Sequence, residues 1–299
     1  MAHPRTAWKP HKGAVGVVTG AGWGGIGFEV SLHLAQQGVH VTLADISQEA
    51  LEDARRHLIE QGIAEDAFET RVLDVSNPDD MRELADSVFA AKGRVDFLHL
   101  NAGRGGNVKA YGEDIVPEWH DIFAVNLFGV VNGTQAFVDR MVAQDSPATV
   151  VITGSKQGIT CPPGTSAAYN ASKAAVKALA EALSHQLLST QVSVHLLVPG
   201  YTYTKITTNS PSSSYNPSAK PAAAWSPAQV SSCLFSRITA SADDFYVICP
   251  DNDVSWELDK ARMQWAYEDI TEGRPALSRW HPDWEEKHKA WVAEKLAKK

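Results

Sequence analysis

A chain of 299 residues has room for one large domain or two small ones, and its 44% apolar content supports a substantial core. The net charge of −8 argues against nucleic acid as the main partner. Three scattered cysteines and eleven histidines without a His-Glu-x-x-His spacing give no sign of a disulfide framework or a metal site. The polar stretch Met1 to Gly13 lacks the apolar core of a signal peptide, and no uninterrupted apolar run approaches the ~20 residues of a bilayer span. A soluble cytoplasmic protein without a membrane partner is expected.

Short apolar runs alternate with longer helical patterns along the chain. The runs are Ala14–Thr19, Val39–Ala44, Phe68–Asp74, Val95–Leu100, Ala148–Thr153, Val192–Val198 and Phe245–Cys249. Several are apolar throughout, as strands covered on both faces should be. Helices are expected near 25–37, 47–61, 78–92, 117–143, 166–189 and 226–240, with Pro78 and Pro117 placed as first-turn prolines. This rhythm predicts an α/β fold, a doubly wound parallel sheet between two helical layers. Residues 13–250 form that core. A Ser- and Pro-rich loop over 201–227 is expected to cover the site as a lid. Residues 251–299 form a C-terminal helical arm, with helices near 254–271 and 283–297, packed on its own domain or on a neighbouring subunit.

The first strand runs into a glycine-rich turn, Thr19-Gly20-Ala21-Gly22-Trp23-Gly24-Gly25-Ile26-Gly27, and a helix follows. Glycines let the backbone turn sharply and approach a diphosphate, and the helix N-terminus offers free N–H groups and a positive dipole end. The competing reading is a tight strand–helix turn with no ligand. At the end of the second strand Asp45 can accept both ribose hydroxyls of an adenosine and repel a 2′-phosphate. With no Lys or Arg between Thr19 and Asp45, NAD is favoured over NADP. Asp45 can also be a helix cap, a task that Ser47 would perform as well. Asp74 can accept from the adenine amino group or serve as a cap or turn residue. Asn101-Ala102-Gly103 makes a small-residue turn under the adenosine.

Tyr169-Asn170-Ala171-Ser172-Lys173 sets a phenol and an ammonium one helical turn apart on one face. Ser155 precedes them at the end of a strand. Oxidising a secondary alcohol needs a base for the hydroxyl proton and an acceptor for the hydride. Tyr169 as phenolate can be the base, once its pKa of ~10 is brought near 7 by ~4 kcal/mol of preferential stabilisation. Lys173 and an oxidised nicotinamide each supply a positive charge. Ser155 can hold the substrate oxygen. Read apart, these residues are an ordinary helix pair and a turn hydroxyl. Asn126, inside a long apolar helical pattern, is either a satisfied core amide or the holder of a water in a proton relay from Lys173.

These residues together resemble the short-chain dehydrogenase/reductase family, the single-domain Rossmann oxidoreductases, over roughly residues 13–250. The motifs that carry the likeness are the glycine turn, Asp45, Leu73-Asp74-Val75, Asn101-Ala102-Gly103, Val125-Asn126-Leu127, Ser155, Tyr169 with Lys173, and Pro199-Gly200 followed by Thr204. The resemblance implies a catalytic tetrad of Asn126, Ser155, Tyr169 and Lys173. It also implies a lysine grip on the nicotinamide ribose, contact of Pro199 to Thr204 with the nicotinamide end, and backbone contact of Ile26 with the cofactor. Pairing of the 117–143 and 166–189 helices into a homodimer or homotetramer is a further implication. The sequence departs from the family in a glycine turn and a serine-to-tyrosine interval each one residue longer, and in the tail past Cys249-Pro250-Asp251-Asn252. Tyr201, Tyr203, Tyr215 and Trp225 of the lid predict an aromatic pocket for a bulky secondary alcohol or ketone. Lys156 and Gln157 flank Ser155 and can meet a polar substrate group, but solvated or backbone-bonded side chains are expected.

Overall fold

The computed structural model describes residues 5–208 and 215–297. Residues 209–214 of the expected lid, Pro211 among them, and the first four residues lie outside the described residues. Seven strands form one sheet: β1 (Val15–Thr19), β2 (His40–Asp45), β3 (Phe68–Val72), β4 (Phe97–Leu100), β5 (Ala148–Thr153), β6 (Val192–Val198) and β7 (Tyr246–Ile248). Their order is β3-β2-β1-β4-β5-β6-β7, with every pairing parallel. The chain order reverses between β1 and β4, and such a switch point opens a crevice at the strand carboxyl ends.

Successive residues of each strand serve opposite faces. Val17 joins the core beneath α3 (Pro78–Lys92), α5 (Gly129–Ala143) and α7 (Ala167–Gln186). Its neighbour Val18 joins the core beneath α1 (Ile26–Gln36), α2 (Gln48–Glu60) and α9 (Pro227–Ile238). The fully apolar strand runs of the sequence therefore reflect burial on both sides.

Four strands are shorter than the sequence suggests, β1 by one residue and the third, fourth and seventh by two each. The third ends at Val72, because the Asp74 N–H donates to the Asp80 carboxylate at 2.9 Å and leaves the sheet. The fourth starts at Phe97, since the buried Asp96 carboxylate takes the Val15 N–H at 2.9 Å. The expected helix over 117–143 is continuous but not uniform. It comprises α4 (Val116–Phe123), a π-helical turn (Ala124–Phe128) and α5. By length and composition these 28 residues could cross a membrane, although charged and polar residues interrupt their apolar run. Here they pack on α3, α7 and β4 as a core helix.

The arm consists of α10 (Trp256–Thr271) and α11 (Glu285–Ala297). It packs on its own domain through α10 against α6 (Gln157–Thr160). Cys233 of α9 and Cys249 past the end of β7, scattered in sequence, come close enough to act on each other's thiols.

Candidate active site

The glycine turn lies at the switch point and walls one end of a cavity of about 320 Å³. Gly20 has φ +63°, and a side chain there would meet the Ala102 backbone at 2.7 Å. At Gly27 a Cβ would stand 2.4 Å from the Gly20 carbonyl oxygen, so this glycine allows α1 to sit against β1. Gly25 is the N-cap of α1, and no side chain caps that helix. It lines the cavity, and the atom nearest to an added Cβ would be 3.6 Å away. Gly25 thus leaves room for a diphosphate to approach the first amides of α1. Gly24 faces Tyr215 and Lys205 and stays outside the cavity lining. The extra residue of the turn is accommodated by α2: Trp23 stacks on His57 at 3.5 Å between ring centroids, and its N–H donates to the Ala50 carbonyl at 3.0 Å. This cradle fits a dinucleotide in both its space and its free donors.

Asp45 lines the same cavity. Its carboxylate accepts from the Gly22 N–H at 2.9 Å and from the Ser47 N–H at 3.0 Å. Ser47, not Asp45, caps α2. Asp74 and Val75, expected at the cofactor, do not line the cavity. Asp74 accepts from the N–H and hydroxyl of Ser76, at 2.9 and 2.8 Å, so the turn role is the observed one. Val75 is buried against Gly129, and its carbonyl accepts from Asn132. Asn101, Ala102 and Gly103 do line the cavity, as do Pro199, Gly200 and Thr204. The Asn101 amide donates to the carbonyls of Thr19 and Gly20 and accepts from the Thr153 hydroxyl, tying β1, β4 and β5 together.

Sequence reasoning missed Lys205. It begins a short helix in the lid and reaches the glycine turn, where it lines the cavity in the field of Asp53, Asp45 and Glu49. Burial lowers its pKa more than those carboxylates raise it.

At the other end of the cavity α7 starts on a Ser166 cap, whose hydroxyl accepts from the Tyr169 N–H at 3.3 Å. Lys173 follows one turn later, 4% exposed. Its ammonium donates to the Thr153 carbonyl at 2.7 Å and lies 5.9 Å from the Tyr169 ring centroid. Burial lowers the Lys173 pKa to about 8. The same burial raises the Tyr169 phenol, against which a hydrogen bond with Ser155 pulls downward. In the protein alone, then, the lysine loses its proton before the phenol ionises. The expectation that Lys173 acidifies Tyr169 holds only where a further positive charge first brings the phenol below pH 8. His99 stands behind this pair, hydrogen-bonded to the Thr153 hydroxyl at 2.8 Å. Burial, assisted by the Lys173 charge, lowers its pKa to about 3 and keeps it neutral.

Ser155 follows β5, and its hydroxyl accepts from the Gln157 N–H at 3.2 Å. Asn126 sits in the π-helical turn, fully buried. Its carbonyl oxygen accepts from the Arg104 N–H at 2.7 Å, and its amide donates to the Arg104 carbonyl and the Ser172 hydroxyl. Through these three bonds Asn126 joins the loop after β4 to α7. Gly103 lies between it and Lys173.

Ser155 and Tyr169 line a second cleft as well, of about 1320 Å³. Its wall is more polar than the sequence suggests, with Arg104, Glu118, Lys156, Gln157 and Asp251. Of the four lid aromatics only Tyr201 lines it. Tyr203 and Tyr215 stack on each other at 5.4 Å near the glycine turn, and Trp225 packs against the core beneath α1 and α9. Lys156 is neither solvated nor backbone-bonded. It pairs with Asp251 at 3.2 Å and with Asp259 of α10 at 2.5 Å. Asp251 also accepts from the Tyr201 N–H at 2.5 Å, and only glycine at position 200 leaves room for its carboxylate. The arm thereby helps to build the cleft.

Comparison with known proteins agrees with this geometry. The family model for short chain dehydrogenases matches residues 14–214. A 1-deoxy-11-beta-hydroxypentalenate dehydrogenase of Streptomyces avermitilis is 37% identical over 192 residues, 64% of this chain and 69% of its own. A 3beta-hydroxysteroid dehydrogenase 2 of Eggerthella lenta is 30% identical over 194 residues, 65% of this chain and 73% of its own. Among solved structures, a short chain dehydrogenase/reductase of Burkholderia phymatum in complex with NAD superposes with a TM-score of 0.74 at 28% identity, covering 90% of this chain and 98% of that one. Structures of this likeness include complexes with NADP as well as with NAD.

Proposed function

The chain belongs to the short-chain dehydrogenase family, and from that premise we propose an NAD-dependent oxidoreductase for a bulky cyclic secondary alcohol or its ketone. The observation that carries this reading is the wall shared by the two clefts. Ser155 and Tyr169 line both, so a carbinol in the larger cleft meets a cofactor in the smaller one at these two side chains.

Each residue then has a task. Ser155 holds the substrate oxygen by hydrogen bonding. Tyr169 takes the hydroxyl proton in oxidation and returns it in reduction. Lys173, with a pKa of about 8, is protonated roughly ten to one at pH 7 and favours the phenolate. Asn126 acts at a distance by fixing the loop beside Lys173 to α7. The glycine turn and the N-terminus of α1 would hold the diphosphate, and Asp45 the adenosine ribose. When bound, the oxidised nicotinamide accepts the hydride and adds a positive charge beside Tyr169.

The preference for NAD rests on the negative field at the adenosine end. Asp45, Glu49 and Asp53 all act on Lys205 there, and the same carboxylates disfavour a 2′-phosphate. Lys205 itself supports the rival reading, an NADP-dependent ketone reductase, because it brings an ammonium into the cofactor cavity. The choice of a bulky cyclic substrate is supported by the volume of the second cleft and by the hydroxysteroid and hydroxypentalenate in the names of the relatives. A dinucleotide sensor without turnover would not need Ser155, Tyr169 and Lys173 arranged in this way. We also propose a cytoplasmic homodimer or homotetramer paired through α4, α5 and α7; a monomer by light scattering would refute the pairing.

The test is Tyr169→Phe. The variant is expected to bind NADH as the parent does and to lose turnover of cyclic alcohols such as hydroxysteroids. Full activity in that variant would falsify the assignment of the base.

A further inference from the structure

We propose that a separate cavity, of about 230 Å³, between the end of α6 and the C-terminal arm, is a binding site for a small organic carboxylate with an apolar body. Arg262 of α10 and Arg279 of the following segment both line it. Among the described residues neither has a carboxylate within 4 Å, and Asp259 acts on both only from farther away. Asp269 lines the cavity too, but its oxygens accept from the Ser278 hydroxyl at 2.5 Å and the Ser278 N–H at 3.1 Å. Asp259 is committed to Lys156. The Arg262 Nε is shut off from solvent with no hydrogen-bond partner.

Two guanidinium groups in one cavity repel, and an unpaired buried donor is costly. Arg279 shows the strain: burial, and then the charge of Arg262, lower its pKa to about 10. An anion placed between the two would answer both groups, and a carboxylate matches the planar fork of arginine. The rest of the wall sets the other half of the ligand. Ile159, Ile270, Leu277 and Trp280 offer apolar surface, which a bare inorganic anion would leave unused. The volume falls short of the ~300–1,000 Å³ of drug-sized pockets, so a short-chain or single-ring acid fits.

The site adjoins the catalytic elements without sharing their lining. Ile159 and Thr160 belong to α6, whose first residue, Gln157, donates its N–H to Ser155. In the same turn Gly158 presses on the Lys173 backbone, where a Cβ would stand 2.6 Å from the carbonyl carbon.

Titration calorimetry on the full chain tests the proposal. Cyclohexanecarboxylate, its uncharged carboxamide and inorganic phosphate are compared, with NADH present to fill the cofactor cavity. The carboxylate is expected to bind saturably and to weaken with added salt, the amide and phosphate to bind at least tenfold more weakly. Arg262→Met and Arg279→Met should each weaken the carboxylate at least tenfold. If either variant fails to fold, Ala266→Trp, which fills the cavity while keeping both arginines, should abolish binding. The proposal is overturned if the carboxylate does not bind at millimolar concentration, if the amide or phosphate binds as well, or if binding survives the substitutions. It is equally overturned if the arginine variants change the oligomer size without any carboxylate binding, since a second copy would then supply the anion.

Discussion

Replacing Lys173 by methionine separates a structural lysine from an electrostatic one. The Lys173 ammonium lies 5.9 Å from the Tyr169 ring centroid and is nearly shut off from water. At an effective dielectric of ~20, a unit charge at that distance favours a phenolate by about 2.8 kcal/mol, or about two pKa units. The substitution should therefore move the acidic limb of the pH profile for alcohol oxidation, where the phenol becomes ionised, upward by about two units. At pH 7 kcat/KM should fall on the order of 100-fold, and most of the loss should return in strongly alkaline buffer. Steady-state oxidation of a cyclic alcohol between pH 5 and 11, at saturating NAD, measures both. A merely structural lysine would lower activity at all pH values without moving the limb, and that result would refute the reasoning. The same variant carries a stability signature. The folded-state pKa of Lys173, about 8, lies below its unfolded value, so the unfolded chain binds more protons between those two values. Stability contributed by this group should consequently rise from pH 8 toward pH 10, a gain absent in Lys173→Met.

Two further outcomes are expected. Asp45→Ala removes a carboxylate that accepts from the Gly22 N–H and lines the cavity beside the glycine turn. It should weaken NADH by roughly tenfold or more and narrow the ratio of NADPH to NADH dissociation constants; an unchanged ratio by fluorescence titration would point to Lys205 as the selector. His99 has a folded pKa of about 3 against an ordinary value of 6.5, so the unfolded chain binds the extra proton first as pH falls. Stability from His99 should be lost progressively below pH 6.5, on the order of 4 kcal/mol by pH 3. In His99→Asn, urea unfolding should show a flatter acid limb, and an identical limb would exclude His99 as its source.

The parts of this protein that could be read in advance are those fixed by local periodicity. Strands apolar on both faces announce a sheet between helical layers, and Tyr169 and Lys173 fall on one helix face by spacing alone. Long-range packing decided the rest. The π-helical turn at Asn126 leaves no mark in hydropathy, since its five residues are as apolar as the helix around them. Asp74 was ambiguous between ligand and turn until its Ser76 partner was placed. Lys205 reaches the cofactor cavity only because the lid folds back onto the glycine turn. The lid aromatics were misassigned because side chains rich in apolar area can bury themselves against one another or in the core as readily as against a ligand, as Tyr203, Tyr215 and Trp225 do. One signal was available for the arm: Asp251, just past the last strand, faces the glycine at position 200.

The claim on which the rest depends is that Tyr169 ionises near neutrality only beside the oxidised cofactor. Phenolate absorbance titrated with and without NAD, using Tyr169→Phe to subtract the other tyrosines, measures it directly. The account predicts a phenol that ionises above pH 10 in the protein alone and near pH 7 in its NAD complex. A phenol that stays protonated in strongly alkaline buffer in both states, while alcohol oxidation proceeds at pH 7, would contradict it.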